Sequence, residues 1–268
     1  MYSYLKVEYS AQGRIATITI NRPEVHNAFN TQVIEELTAA FGALSSDERL
    51  HGVVLTGEGA SFCAGADIND MRATVSFTAE QNVADALRLA DLLHTIDTCP
   101  CPVIARVNGA ALGGGVGLVA TCDIAIAAEQ ARFAFSEVKL GIVPAVISPY
   151  VVRKIGTTHA RALFVSGERF HAARAQAIGL VHTVVPREQL DEAAQKALGE
   201  LLRNGPQAMR AAKALASNVD SMNYAEARTY TAEMIAHLRT SEEGQDGLSA
   251  FLEKREPRWI APTKETQQ

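Results

Sequence analysis

The chain has 268 residues, 47% of them hydrophobic and 21% charged, with a formal net charge of −5. That is ample for one substantial core, or one core plus a helical appendage. The acidic balance and the lack of any Lys/Arg run argue against nucleic-acid binding, so an anionic ligand needs a local basic patch. No apolar stretch reaches the roughly 18 residues of a membrane span.

In chain order, residues 14–20 (RIATITI) alternate as a strand buried on one face does, and Asn21-Arg22-Pro23 ends it. From Thr31 to Leu44, the apolar residues Val33, Ile34, Leu37, Phe41 and Leu44 recur at helical spacing. Residues 52–57 (GVVLTG) form a short buried strand. Thr78-Ala79-Glu80-Gln81 has capping-box form and opens a helix to about Ile96, with Val83, Leu87, Ala90 and Leu93 on one side. The Cys99–Pro102 stretch stops that helix. Residues 103–107, 124–128 and 132–135 are further short strands. Strands repeating with intervening helices describe a winding α/β core. Beyond about residue 187 only amphipathic helical patterns remain, to about 255, so residues 1–187 read as the core and 188–268 as a helical C-terminal region.

Two small-residue loops stand out. Residues 104–124 run from a strand through Gly113-Gly114-Gly115 into a helix, and Phe62-Cys63-Ala64-Gly65-Ala66-Asp67 follows the strand at 52–57. Without β-carbons, glycines let backbone N–H groups approach a ligand. Two such loops suit a site that grips one oxygen between two amides and stabilises charge developing on it. Glu137 closes an apolar segment, where burial would raise its pKa and fit it to carry a proton. A carboxylate held at a helix N-terminus is the equal alternative. Asp67 and Asp123 suit structural caps.

Other chemistry finds little support. Residues 115–120 satisfy GxGxxA, with Glu137 about twenty residues on, but at least three strands precede them, unlike a dinucleotide-binding turn. The four cysteines lack disulfide or zinc spacing and read as free buried thiols of a cytoplasmic protein. The N-terminus has no leader pattern. No metal site is expected. Of seven histidines, His26, in a loop after a strand, is the one placed to meet a ligand.

Asn21-Arg22-Pro23-Glu24…Asn27-Ala28, Phe62–Ile68, residues 104–124 and Glu137-Val138-Lys139-Leu140-Gly141…Pro144 follow one another as in the enoyl-CoA hydratase/isomerase (crotonase) superfamily, which the chain resembles along nearly its whole length. The tail Glu243-Gly244…Gly247–Arg255 resembles that family's last helix. The resemblance implies a crotonase-like spiral of repeated ββα units with a C-terminal helical trimerisation region. The assembly it implies is a homotrimer or dimer of trimers, with an acyl-CoA thioester as substrate and no separate cofactor. It places the oxyanion-binding amides on Ala66 and Gly114 and the proton carrier at Glu137. Coenzyme A would be met by Val25, His26, Ala64, Asp67, Ile68, Asn69 and Lys254. Asn69 stands where the family often has lysine.

Two departures are informative. Gly117 occupies a position where typical hydratases carry a second glutamate, and Pro144-Ala145-Val146-Ile147-Ser148-Pro149-Tyr150-Val151-Val152 replaces the usual segment. Both features resemble bacterial methylglutaconyl-CoA and isohexenylglutaconyl-CoA hydratases, whose substrates carry a second carboxylate. Arg106, Lys139, Arg153 and Lys154 are the candidates to meet it. The leading expectation is therefore hydration of a 2-enoyl-CoA. An enoyl-CoA isomerase and a non-catalytic CoA-thioester-binding subunit are the rivals.

Overall fold

The computed structural model describes residues 2–260. Strand β1 (Leu5–Ser10) turns back through Ala11–Gly13, all at positive φ, onto antiparallel β2 (Ile15–Ile20). Helix α1 (Thr31–Ser45) starts where the Asn30 side chain accepts a hydrogen bond from Val33 N–H, and it buries Val33, Ile34, Leu37, Phe41 and Leu44. After β3 (Gly52–Gly57) come α2 (Ile68–Thr74) and α3 (Ala79–Asp97), the latter opened by the reciprocal Thr78–Gln81 capping box. Then follow β4 (Val103–Val107), the two-residue β5 (Ala111–Leu112), α4 (Gly114–Thr121), β6 (Ile124–Ala128) and β7 (Arg132–Ala134). Helix α5 (Ser148–Ser166) is broken at Gly156, where φ is 71°. It is followed by β8 (Arg169–His171), α6 (Ala172–Ala177) and β9 (Thr183–Val185). Four helices finish the chain: α7 (Leu190–Arg203), α8 (Pro206–Val219), α9 (Tyr224–Thr240) and α10 (Glu242–Glu253).

The large sheet runs β1-β2-β3-β4-β6-β9, parallel except for β1, and a small sheet runs β5-β7-β8. Parallel bridges Phe29–Ala66 and Cys63–Ala111 continue the small sheet's stack. Each circuit thus passes from a long strand to a short second strand, then through a helix to the next long strand. This is the expected spiral. Strand order advances in one direction without reversal, so the crevice that a dinucleotide-binding fold needs is missing.

One sheet face packs Ile18, Leu55 and Val103 against Leu37 and Phe41 of α1 and Leu93 and Ile96 of α3. The other packs Ile15, Val54, Ile104 and Ile126 against Leu190, Leu198 and Leu201 of α7. The helical region therefore begins as part of the core, whereas α8 and α9 bury no residue of their own.

One expectation needs correction, and three strands gave no signal in the sequence. Val83 and Leu87 of α3 are 58% and 55% exposed, because only the C-terminal half of that helix reaches the core. Strand β1 lies at a sheet edge with a mostly exposed pattern, so its alternation carried no signal. Strands β5 and β8 have two and three residues and exist through pairing alone. All four cysteines are free and buried.

Candidate active site

The glycine turn is fastened to the end of β7, where Gly113 N–H donates to the Ala134 carbonyl at 2.9 Å. Phe135, fully buried with its ring edge-on to Phe164 at 4.9 Å, anchors the chain just before Glu137. Glu137 opens a 3-10 turn, Glu137–Leu140, and its carboxylate returns over Gly113, where a β-carbon would stand 3.1 Å from Oε1. Gly113 has φ +50°, and a β-carbon on Gly114 would lie 2.3 Å from Phe29 Cζ. These close approaches leave glycine the residue that fits. Gly114 is the first residue of α4, so its N–H has no intrahelical acceptor.

The second loop faces the first. Phe29 N–H donates to Gly65 O at 2.8 Å and Asp67 N–H to Phe29 O at 3.0 Å, bracketing Ala66 in a parallel bridge. Ala66's own N–H therefore turns away from Phe29, as ladder geometry requires. Among the described residues neither Ala66 N–H nor Gly114 N–H has an acceptor. A β-carbon on Gly65 would stand 3.9 Å from Gly114 N, which places the loops in contact.

A buried frame holds this arrangement. Asp67 caps α2, accepting from Asn69 N–H at 2.8 Å, and pairs with Arg22 Nη2 at 2.9 Å. Arg22 also donates to Ala28 O at 2.6 Å, and Asn27 Nδ2 donates to Glu58 O and Ser61 O. The Asn21–Ala28 segment is thereby strapped to the loop that presents Ala66.

Ala66, Gly114 and Glu137 line one cleft of about 370 Å³. Phe29, Met71, Leu89 and the segment Ile142–Ile147 complete its mostly apolar wall. Glu137 Oε2 is buried without a partner, and burial pushes the carboxyl above the usual carboxylate range. It stands at a helix start, as the alternative reading had it, but desolvation dominates. Two acceptor-free amides beside a desolvated carboxyl can polarise a carbonyl and move a proton at a carbon next to it.

The sequence profile of the enoyl-CoA hydratase/isomerase family matches residues 10–262. The chain belongs to the enoyl-CoA hydratase/isomerase (crotonase) family. An enoyl-CoA hydratase structure from Shewanella pealeana superposes with a TM-score of 0.92 at 42% identity, covering 97% of each chain. AtuE of Pseudomonas aeruginosa superposes with a TM-score of 0.93 at 36% identity, over 97% of this chain and all of that one. A Thermus thermophilus protein with a provisional enoyl-CoA hydratase name is 34% identical over 248 residues, 92% of this chain and 98% of its own.

Within this crotonase fold the remaining sequence-derived residues are spread out. Ala64 lines the cleft. Ile68 and Asn69 are exposed in the first turn of α2. Val25 and His26 lie outside the cleft, and His26 Nδ1 is 3.0 Å from Ser61 Oγ. Asp67 is buried in the frame and does not reach the wall. Lys254 ends α10, exposed and off the cleft of its own chain.

The four cations read as partners for a second substrate carboxylate all fall elsewhere. Arg106 pairs with Asp191, Arg153 with Asp97, and half-buried Lys154 donates to the Cys122 carbonyl. Lys139 is exposed and outside the lining, its Cε lying beside Gly167. Charge and proximity in sequence did not reveal which cations were already engaged. Conversely, Phe29 and Ile147 shape the site without any polar signature. Among the described residues no group of three potential metal ligands occurs, and no helix is long and apolar enough to cross a membrane.

Proposed function

We infer that the protein binds an acyl-CoA thioester with its carbonyl oxygen between the N–H groups of Ala66 and Gly114, and hydrates a 2-enoyl chain. As water attacks the carbon β to the thioester, the electron pair moves toward that oxygen, where the two amides stabilise it. Glu137 accepts the proton lost by the water and returns one to the α-carbon. Coenzyme A is part of the substrate, and the scheme calls on no other cofactor. The observation that carries this reading is the unpartnered, buried Glu137 carboxyl lining the same cleft as two acceptor-free amides.

The walls bear on the acyl group. Among the described residues no Lys, Arg or His lines the cleft, which supports an uncharged acyl chain over the carboxylated 3-methylglutaconyl type. Burying a second carboxylate near Glu137 without a cation would be strongly unfavourable. Exposed Tyr224, Phe251 and Leu252 on α9 and α10 support association into a trimer or dimer of trimers.

A second reading is favoured by Glu137 being, among the described residues, the single titratable side chain on the wall. One carboxylate suffices for an isomerase that lifts a proton from one carbon and returns it to another. The test is to follow the conjugated-thioester absorbance of straight-chain 2-enoyl-CoA, 3-enoyl-CoA and 3-methylglutaconyl-CoA in parallel. Hydration predicts loss of absorbance with the straight 2-enoyl substrate. Gain with the 3-enoyl substrate alone means isomerisation, and binding without turnover of any means a non-catalytic subunit.

A further inference from the structure

The cleft has an open rim and a closed end. Leu140, Ile142 and Val143 are 60%, 55% and 65% exposed, whereas Ile147, further along the same wall, is 2% exposed. Ile147 immediately precedes α5 and packs on the middle of α4. A β-carbon on Gly117 would stand 2.3 Å from Ile147 Cγ2, 3.0 Å from Ile147 Cβ and 3.6 Å from Leu93 Cδ2. Non-bonded carbons prefer about 3.5–4.0 Å. Gly117 and Ile147 therefore share one space, and the isoleucine fills it. A side chain at residue 117 collides with Ile147 unless the isoleucine shifts. Coenzyme A must leave through the open rim, so the closed end faces the acyl tail.

We propose that Ile147, seated on Gly117, is the specificity-determining residue of this site: its side chain is the end-stop that limits acyl chain length. The inference rests on reading the cleft as an acyl-CoA site, but not on which reaction occurs there. Opening the stop by truncating Ile147 admits longer chains. Adding a methyl at residue 117 forces Ile147 into the cleft and shortens it. The two substitutions are coupled because they act on the same volume.

Saturated acyl-CoAs, which cannot be hydrated, isolate this effect. Butyryl-, hexanoyl- and octanoyl-CoA are titrated calorimetrically against wild type, Ile147→Ala, Ile147→Val, Gly117→Ala and the Gly117→Ala/Ile147→Ala pair. The expected result is a rise of about tenfold or more in octanoyl-over-butyryl preference for Ile147→Ala, the scale of a methylene-sized pocket change. Ile147→Val moves the same way by less and covers the case in which the alanine variant fails to fold. Gly117→Ala alone lowers Tm by several degrees, and the loss is largely absent in the Ile147→Ala background. Unchanged chain preference in the isoleucine variants, or additive Tm losses, overturns the end-stop. Chain-selective binding without turnover of any enoyl-CoA contradicts the reaction reading and leaves the end-stop standing. Failure of wild type to bind any of the three overturns both.

Discussion

On one side of the cleft, Ala64–Ala66 and Gly113–Gly114 present backbone, while on the other, Leu140 and Ile142–Ile147 present side chains. The backbone wall is fixed from behind by the Phe29–Ala66 bridge, the Arg22–Asp67 pair and the bond from Gly113 to Ala134. The side-chain wall runs from an exposed rim at Leu140–Val143 to buried Ile147, and its backbone bonds, such as Ile142 N–H to Glu137 O and Ser148 N–H to Ala145 O, reach only near neighbours in sequence. Chemistry needs donors held within a fraction of an ångström, which rigid backbone supplies. Substrate choice needs shape, which single side chains can alter. Substitutions on the first wall should therefore abolish rate or stability, and those on the second should redistribute preference.

The largest effect belongs to the one acid between the walls. Glu137→Gln should lower steady-state hydration by about 10²–10⁴-fold while calorimetric binding of butyryl-CoA persists. The same variant carries a pH signature. Because burial raises the folded pKa of Glu137, the wild type binds more protons folded than unfolded, and its stability falls as pH rises through that range. The Tm advantage of Glu137→Gln should thus be small in acid, below the unfolded carboxyl's pKa. It should grow toward neutral pH.

Next comes the frame. Asp67→Ala strands buried Arg22 and uncaps α2, and should destabilise the fold by about 3–5 kcal/mol in urea titrations. Gly114→Ala meets Phe29 and displaces one proposed oxyanion amide, for a rise of about 2.7–4 kcal/mol in the hydration barrier from kcat/KM. The smallest change is expected at the rim. Val143→Ser, at a site 65% exposed, should move KM by only a few-fold and leave kcat alone. A kcat loss there as large as at Gly114 would erase the distinction between the walls.

Much of this was legible in the chain. The α1 periodicity, the Thr78–Gln81 capping box and the parallel strands at 52–57, 103–107 and 124–128 all appear in the fold. So do the two small-residue loops, since glycine marks close backbone approach directly. What could not be read depends on contacts distant in sequence. The Arg106–Asp191 pair spans 85 residues, and the collision between Gly117 and Ile147 joins the middle of α4 to the start of α5. Strand β5 exists because Cys63 and Phe133 flank it, a fact no local pattern encodes. The silence of the apolar wall is equally physical: packing residues carry no charge or spacing that distinguishes wall from core.

The most direct test of the two-amide grip is the thioester carbonyl stretch of an isotope-labelled 2-enoyl-CoA bound to Glu137→Gln, recorded by difference infrared spectroscopy. Two preorganised N–H donors should pull that band below its frequency in water, and Gly114→Ala should return it part of the way. A band at or above the aqueous position in both proteins would contradict convergence of Ala66 and Gly114 on the substrate oxygen.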